Sequence, residues 1–381
     1  MRWFGRKAAR ATGRPFLFSG WRNVFAAEPW PRSYEAQVRE AYLANPVAQR
    51  CVRLVAESVA WAPVYANEVR PEAASLLTPT LLENVATYLL LHGNAYVQVL
   101  QDAAAAPAEL FVLRPERVTV EADAAGWPVA YAYKVGEARS RIAAWDGLGR
   151  PGIVHLRSAH PLDDHYGMGC LGVAAGAIAV HNAAAKWNKA LLDNAARPSG
   201  ALVYEPGDGA ALSTEQYDRL RAEMDGQFSG TANAGRPLLL EGGLKWQAMS
   251  LSPADMDFIG LKAGAAREIA LAFGVPPLLL GLPSDVTYAN YREANRALWR
   301  QTVLPMADRI LRGLSESLAR WWPGLKLQVD VDQVGALAGE RERLWRQLSA
   351  ADFLTDSEKR EMLGFAPRAE DEGLGDKEAA A

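Results

Sequence analysis

Cysteine and histidine are scarce in this chain of 381 residues, which has two of the first and five of the second. The cysteines, Cys51 and Cys170, are far apart and form neither a disulfide framework nor a zinc-binding spacing. No apolar run reaches the roughly 20 residues that a bilayer requires, because His181 and Asn182 interrupt the longest one. The sequence therefore predicts a protein that has no membrane span and assembles in a reducing compartment.

A strong charge of one sign is also missing. The 41 basic and 44 acidic residues leave a net charge of −3, and no basic recognition helix is visible, which argues against a transcription factor. Charge is instead concentrated at the two ends of the chain. Residues 1–29 contain no acid before Glu28, and residues 367–381 are mostly acidic and small. We predict a flexible basic arm and a solvated acidic tail.

The hydrophobic pattern predicts an α+β fold with more than one substructure, since the chain is long for a single core. Asn45-Pro46 is typical of a helix start, and a second helix is expected from Leu81 to Leu91. The apolar period then changes to two, which indicates short strands. These predicted strands are Ala95 to Leu100, Leu110 to Leu113, Val118 to Val120, Val129 to Val135 and Ile153 to Leu156.

Two further predicted helices, Gly172 to Ala196 and about Asp255 to Phe273, are rich in alanine and glycine. Small side chains let helix axes approach closely, so we expect these helices to pack against copies of themselves. The packing positions are Ala175, Ala179, Ala183, Gly264 and Ala266. A small mixed insert separates the helices. Its expected elements are a strand at Gly200 to Tyr204, a helix near Thr214 to Phe228, and a hairpin of Pro237 to Leu240 with Leu244 to Trp246.

A loop from Gly274 to Tyr288 follows, and its three prolines and two glycines argue against a helix there. Asn290, with Glu293 three residues later, predicts the start of a long helix that runs to Trp322, with Pro305 as its only expected bend. The remaining expected elements are a strand at Leu325 to Val331 and two closing helices, the last with a capping box at Thr355 to Glu358 and an end at Gly364.

Residues Gly167 to Gly172 match the pattern GxGxxG, and Asp193 lies downstream. A dinucleotide site needs these glycines directly after a strand and the acid at the tip of the next strand. Here the preceding strand is expected to end at Leu156, and Asp193 lies inside a predicted helix. We therefore interpret the glycines as a turn that opens the helix.

A second cluster has residue types that bind metals: His155, His160, Asp163, Asp164 and His165. Its spacing matches no helical or knuckle pattern, and no further His or Cys pair lies nearby. We predict a polar turn and no cofactor. A metal-dependent enzyme that uses the cluster stays an alternative.

Several blocks of the chain resemble the lambdoid-type phage portal family in both order and spacing. The N-terminal blocks are Asn45 to Val59 with Pro63 to Tyr65, Leu89 to Val97, Leu113 to Val118, and Ile153 to Arg157 leading to Gly167 to Leu171. In the last of these, Gly169 and Cys170 replace the family's usual small residue and proline. The later blocks are Leu251 to Phe258, Glu268 to Ala270, Phe273 to Pro277, Thr287 to Asn290, Pro305, Leu354 to Arg360 and Leu363 to Phe365. The compact chain is similar to the portal of a gene transfer agent.

The resemblance implies a structural protein and not an enzyme: a homododecameric ring at one capsid vertex of a virion or phage-like particle, assembled in the bacterial cytoplasm. Double-stranded DNA would pass through the ring without sequence-specific contacts. The other implied partners are the terminase large subunit, the major capsid protein and a head-tail adaptor protein, with no membrane. A ring of chains that each carry a net charge of −3 favours sliding of DNA over gripping. Another ring-forming head-tail adaptor stays an alternative.

The family's domains can be placed on this sequence as expectations. The implied segments are a basic arm (1–29), a first wing part (30–170), a stem helix (171–197), a clip (198–252), a second stem helix (253–273), a tunnel loop (274–289), a long helix with a wing strand (290–335), crown helices (336–366) and an acidic tail (367–381). The implied DNA-channel residues of the tunnel loop are Leu278, Leu280, Ser284, Asp285, Thr287 and Tyr288.

Overall fold

The computed structural model describes residues 33–193, 200–204, 244–248, 258–282 and 287–363, with single positions between 213 and 222. The chain divides into two compact units, and the division falls inside one helix, between Val52 and Arg53. The first unit comprises Met1–Val52 and Gly169–Phe273, and the second comprises Arg53–Met168 and Gly274–Ala381. The predicted arm and tail, residues 1–29 and 367–381, lie outside the described residues.

Helices and antiparallel strands are both present, as the predicted α+β class requires. The α-helices of the described residues are α1 (Tyr34–Val38), α2 (Pro46–Ala60), α3 (Pro79–Leu91), α4 (Cys170–Asp193), α5 (Phe258–Ala272), α6 (Tyr288–Leu298), α7 (Leu304–Leu318), α8 (Ala338–Ser349) and α9 (Asp356–Met362). Their strands are β1 (Val64–Ala66), β2 (Asn94–Gln101), β3 (Pro107–Leu113), β4 (Val118–Ala122), β5 (Pro128–Val135), β6 (Ala138–Ala143), β7 (Ile153–Arg157), β8 (Gly200–Tyr204), β9 (Leu244–Ala248) and β10 (Leu327–Val329). None of the described helices is long and apolar enough to cross a membrane.

Local side-chain caps set several helix starts. Oδ1 of Asn45 accepts the backbone N–H groups of Val47 and Ala48, each at 3.0 Å, which confirms the predicted start of α2. Helix α3 begins at Pro79, two positions before the expected start, because the hydroxyl of Thr78 caps it by accepting the N–H of Leu81 at 3.2 Å. The predicted capping box before α9 is present. The N–H of Thr355 donates to the carboxylate of Glu358 at 2.8 Å, and the N–H of Glu358 donates to the hydroxyl of Thr355 at 3.3 Å.

The second unit contains two three-stranded antiparallel sheets, with orders β3-β2-β7 and β4-β5-β6. The buried core between their strands is Tyr96, Leu113, Val118, Tyr131, Ala144 and Ile153. Strand β6 was not expected, because its exposed, charged sequence has no apolar alternation. Arg139 and Arg141 on β6 both bind Glu121 on β4, at 2.9 and 2.7 Å. These ion pairs link the side chains of β6 to the sheet.

The long helix predicted from Asn290 to Trp322 is wrong at both ends and in its middle. Thr287 is the N-cap, and its hydroxyl accepts the N–H of Asn290 at 3.2 Å. A π-helical segment, Trp299–Val303, separates α6 from α7, just before the proline at which a bend was expected. Helix α7 ends at Leu318, four positions early, and the following strand is shortened to β10.

Helix α7 packs closely on strands of the second unit. A Cβ at Gly313 would collide with the side chain of Leu156 on β7, so the glycine permits this contact. The hydroxyl of Ser315 accepts the N–H of Leu327 on β10 at 2.9 Å and donates to the carbonyl of Leu311 at 2.7 Å. These bonds fix β10 beside the helix, where it also pairs with β1.

Helices α4 and α5 pack against each other in the first unit. Their buried residues include Leu171, Ala174, Ile178, Ile269 and Ala270. In the insert, β8 confirms the predicted strand. It pairs with β9 in antiparallel fashion, in the register Tyr204 to Leu244. Residues 237–240, the other half of the expected hairpin, lie outside the described residues, so the hairpin stays a prediction. The helix expected near residues 214–228 also lies mostly outside them.

Candidate functional site

The side chains of the histidine and aspartate cluster at residues 155–165 do not converge on one point. Oδ1 of Asp163 accepts the backbone N–H groups two and three residues later, at 2.8 and 3.0 Å, which closes a turn. Nδ1 of His160 accepts another backbone N–H at 3.1 Å, and the guanidinium of Arg157 donates to the carbonyl oxygen of Asp164. Within the described ranges, no group of three His, Cys, Asp or Glu side chains could hold a metal ion. The polar turn is therefore what the geometry supports.

Asn94, a fully buried residue that the sequence analysis missed, connects this turn to the sheet. Its Oδ1 accepts the N–H of Gly167 at 2.7 Å and Nε2–H of His155 at 3.0 Å. Its Nδ2 donates to the carbonyl of Gly167 at 3.2 Å and to Nδ1 of His92 at 3.0 Å. The amide is thus satisfied at both ends. Asn94 and His155 therefore hold the turn against the sheet.

The glycines of the GxGxxG pattern have a packing role. A Cβ on Gly167 would lie 2.7 Å from both the N and the O of Ser158, and closer still to the carbonyl oxygen of Gly93. Strand β7 ends well before the pattern, and Asp193 is the last residue of α4. The prediction of a turn is supported, and the arrangement lacks the strand-glycine-helix order of a dinucleotide site.

Two histidines at this connection are held neutral by their surroundings. Burial lowers the pKa of His92 from 6.5 to about 4. Burial also lowers the pKa of His155 to about 3, and the positive charge of Arg157 adds to this shift, with smaller additions from His92 and His165. Because Nδ1 of His92 accepts a hydrogen bond from Asn94, its protonation would break that bond.

The two shifts predict a loss of stability on mild acidification. Both folded-state pKa values lie below the unfolded value, so the unfolded chain gains protons first as the pH falls through 6.5. Between about pH 7.5 and pH 5, we expect the free energy of unfolding to fall by about 2 kcal/mol for each imidazole. His155→Gln, which retains a donor for Asn94, should remove about half of this dependence in urea unfolding. An unchanged pH dependence would contradict a buried neutral His155.

The five predicted packing positions on α4 and α5 fall into two groups. Ala175 and Ala266 are buried inside the first unit, at 8% and 2% exposure, so their small size serves contacts within one chain. Ala179 and Gly264 are half-buried, and Ala183 is exposed. A Cβ on Gly264 would meet no atom within 4 Å. Only the second group is available to a neighbouring molecule.

An exposed apolar row on α4 was not anticipated. Val173, Val180 and Trp187 recur every seven residues and are 65%, 36% and 46% exposed. Gly176 lies on the same side, and a Cβ there would also meet no atom within 4 Å. Helix α5 also has exposed apolar residues, which are Ile259, Leu261 and Leu271, at 85%, 46% and 79%. The spacing of seven residues is the sequence pattern from which this row could have been predicted.

The structure describes part of the predicted tunnel loop. Leu278 and Leu280 are half-buried in a 3₁₀ turn, Pro277–Leu280, where no helix was expected. The turn ends at Gly281 with a φ of 69°, a left-handed conformation that suits glycine. Thr287 is the N-cap of α6, and Tyr288 is the first residue of that helix. The positions of Ser284 and Asp285 lie outside the described residues.

The two small-residue helices of the first unit carry exposed apolar side chains, which are typical of a protein that assembles with other molecules. A family model described as phage portal protein matches residues 46–364. The chain belongs to the phage portal protein family.

Three relatives illustrate the match. A protein from Rickettsia felis is 41% identical over 352 residues, covering 86% of this chain and 88% of the relative. A chain in the neck of a native gene transfer agent particle, computed with C12 symmetry, is 46% identical, with a TM-score of 0.70 and coverage of 89% of this chain and 95% of that one. An HK97-family phage portal protein from Corynebacterium diphtheriae is 16% identical, with a TM-score of 0.56 and coverage of 78% and 94%, and it shows the shared fold.

Proposed function

We propose that this portal protein forms a homododecameric ring at one vertex of a phage-like particle, and that DNA enters and leaves through the channel of the ring. The main support is the 46% identity, over 89% of the chain, to a subunit of a gene transfer agent neck computed with C12 symmetry. The implied partners are the terminase large subunit, the major capsid protein and a head-tail adaptor. The protein then acts as a structural conduit and not as an enzyme, and it is assembled in the bacterial cytoplasm.

Helices α4 and α5 would form the stem in which neighbouring copies meet. Their outer surfaces carry exposed apolar side chains, together with two glycines, Gly176 and Gly264, where a Cβ would meet no atom of the described residues within 4 Å. A glycine in the middle of a helix costs about 1 kcal/mol relative to alanine, so a close approach by a second copy gives these glycines a reason. The remaining segments would take the clip, wing and crown positions given above.

The tunnel loop would touch the passing DNA. Its glycines permit the backbone to hinge, and its prolines restrict the backbone. Asp285 would repel the phosphates of DNA, while Thr287 and Tyr288 would offer neutral contacts. The exposure of Thr287 and Tyr288 at the start of α6 agrees with this role.

A double substitution in the loop tests the conduit. We expect Ser284→Lys with Asp285→Lys to form rings like the wild type in negative-stain images, because the loop tip would bear no contact between copies. DNA content per particle and the nuclease-protected length should change, and DNA binding by the ring should depend more steeply on salt. A matched control, Glu72→Lys with Ser75→Lys, makes the same charge change on an exposed 3₁₀ turn, Pro71–Leu76.

The control should package normally. Normal DNA content together with unchanged salt dependence in the loop variant would place the loop away from the channel. A wild-type protein that never forms rings would contradict the proposed function as a whole.

A further inference from the structure

The exposed side of α6 and of the π-helical segment after it combines basic and aromatic side chains. Arg292, Arg296 and Arg300 recur every four residues, which places them along one side of the helix. Tyr288 and Tyr291 lie beside them and are 79% and 48% exposed. We call these five residues the α6 face. Two other residues of the same segment, Leu298 and Val303, are buried.

The α6 face is a local basic excess in an acidic chain. Between residues 288 and 303 there are three arginines and one acid, Glu293, which forms an ion pair with Arg296. Helix α7, which continues the chain, is balanced by contrast: its two arginines are matched by two acids, and Arg312 binds Asp308 at 2.9 Å. The basic excess therefore belongs to the segment that precedes α7 and does not continue into that helix.

The arginine at the start of the row is held in position by an aromatic ring. The guanidinium carbon of Arg292 lies 5.9 Å from the centroid of Tyr288, in a cation–π contact. Such a contact limits the rotamers of the arginine while its N–H groups stay available to an anion. Arg292 is exposed, so a large partner can reach it.

We propose that the α6 face binds the phosphate backbone of double-stranded DNA without reading its sequence. The inference rests on the proposed function and adds a binding surface outside the loop. Successive arginines at four-residue spacing are separated by about 6 Å, so the row spans about 12 Å. One DNA strand presents a phosphate about every 3.4 Å along the axis, so that length offers three or four phosphates. Guanidinium groups bind phosphate oxygens in a paired geometry, and tyrosine hydroxyls also donate to phosphates.

The charge of the chain as a whole limits how strong this binding can be. Each chain carries −3, so a ring repels DNA at long range while its α6 faces attract phosphates locally. Such contacts release and re-form as the duplex moves, and they become weaker as salt rises.

The test compares rings of three variants with the wild type, using a fluorescent duplex of random sequence and a series of KCl concentrations. For Arg292→Gln, the slope of log Kd against log salt should fall by about one unit for each phosphate that the ring no longer binds. Arg312→Gln is the matched control, because it removes the same charge from an exposed side chain of α7 and should leave the slope unchanged. Arg292→Lys keeps the charge and should keep the slope.

Equal slopes for Arg292→Gln and Arg312→Gln would overturn the inference, because the effect would then follow net charge alone. Failure of both Arg292 variants to form rings would also overturn it and would make the α6 face a contact between copies. If wild-type rings form but bind no duplex at any salt concentration, the proposed function of the ring as a DNA channel is contradicted. That result is distinct from a failure of the α6 face alone.

Discussion

Replacing Gly167 with alanine is expected to lower the free energy of unfolding by about 3 kcal/mol or more. The added Cβ would lie 2.7 Å from the backbone N and O of Ser158, and closer to the carbonyl of Gly93. These two segments are already joined, since the N–H of Ser158 donates to that carbonyl at 2.8 Å. Backbone atoms cannot move aside as a flexible side chain can. The segment would have to shift, and the bonds between Gly167 and Asn94 would break with it.

A matched substitution separates this close approach from the general effect of replacing glycine. Gly176 lies inside α4, and a Cβ there would meet no atom within 4 Å. Gly176→Ala is therefore expected to stabilise the dissociated subunit, by up to about 1 kcal/mol. Urea unfolding of the two variants and the wild type, at one low protein concentration, measures both effects. A Gly167→Ala midpoint equal to that of the wild type would show that the three backbone segments are not in contact.

The features that sequence predicts well in this protein are those decided by neighbouring residues. Asn45 and Thr355 were identified as caps because the groups that they bind lie two or three positions away along the chain. The same logic failed at α6, where Thr287 and Asn290 are both good cap residues. The hydroxyl of Thr287 accepts the N–H of Asn290 itself, so only one of the two can be the cap.

Contacts between segments that are distant in the chain could not be predicted from local sequence patterns. Asn94 and Gly167 are far apart in sequence, and nothing near Asn94 indicates that its amide will bind a turn after β7. Strand β6 was missed for a related reason, since its backbone pairs with β5 and its arginines bind Glu121 on β4. A local charge excess is likewise invisible in a sum over the chain. The net charge of the chain favoured sliding of DNA over gripping. The basic row on α6 is apparent only from the positions of its arginines on the helix.

Gly264→Leu is expected to dissociate the ring while leaving the subunit folded, because its Cβ points into space that is open within the chain. If a second copy occupies that space, the added side chain overpacks the stem by about 1–3 kcal/mol at each contact, and the cost recurs around the ring. Ala266→Leu should act differently, since Ala266 is 2% exposed and its replacement strains the subunit itself. Light scattering at low concentration measures ring mass, and circular dichroism measures folding.

Gly339→Leu provides the control, because it adds the same side chain where a Cβ also meets no atom within 4 Å, but on α8 and outside the proposed stem. Its rings should keep the wild-type mass. Three results would therefore differ: intact rings for Gly339→Leu, folded small species for Gly264→Leu, and a destabilised subunit for Ala266→Leu. Intact rings for Gly264→Leu at low concentration would show that neighbouring copies do not meet at this part of α5. The exposed row of Val173, Val180 and Trp187 on α4 would then be the surface to substitute next.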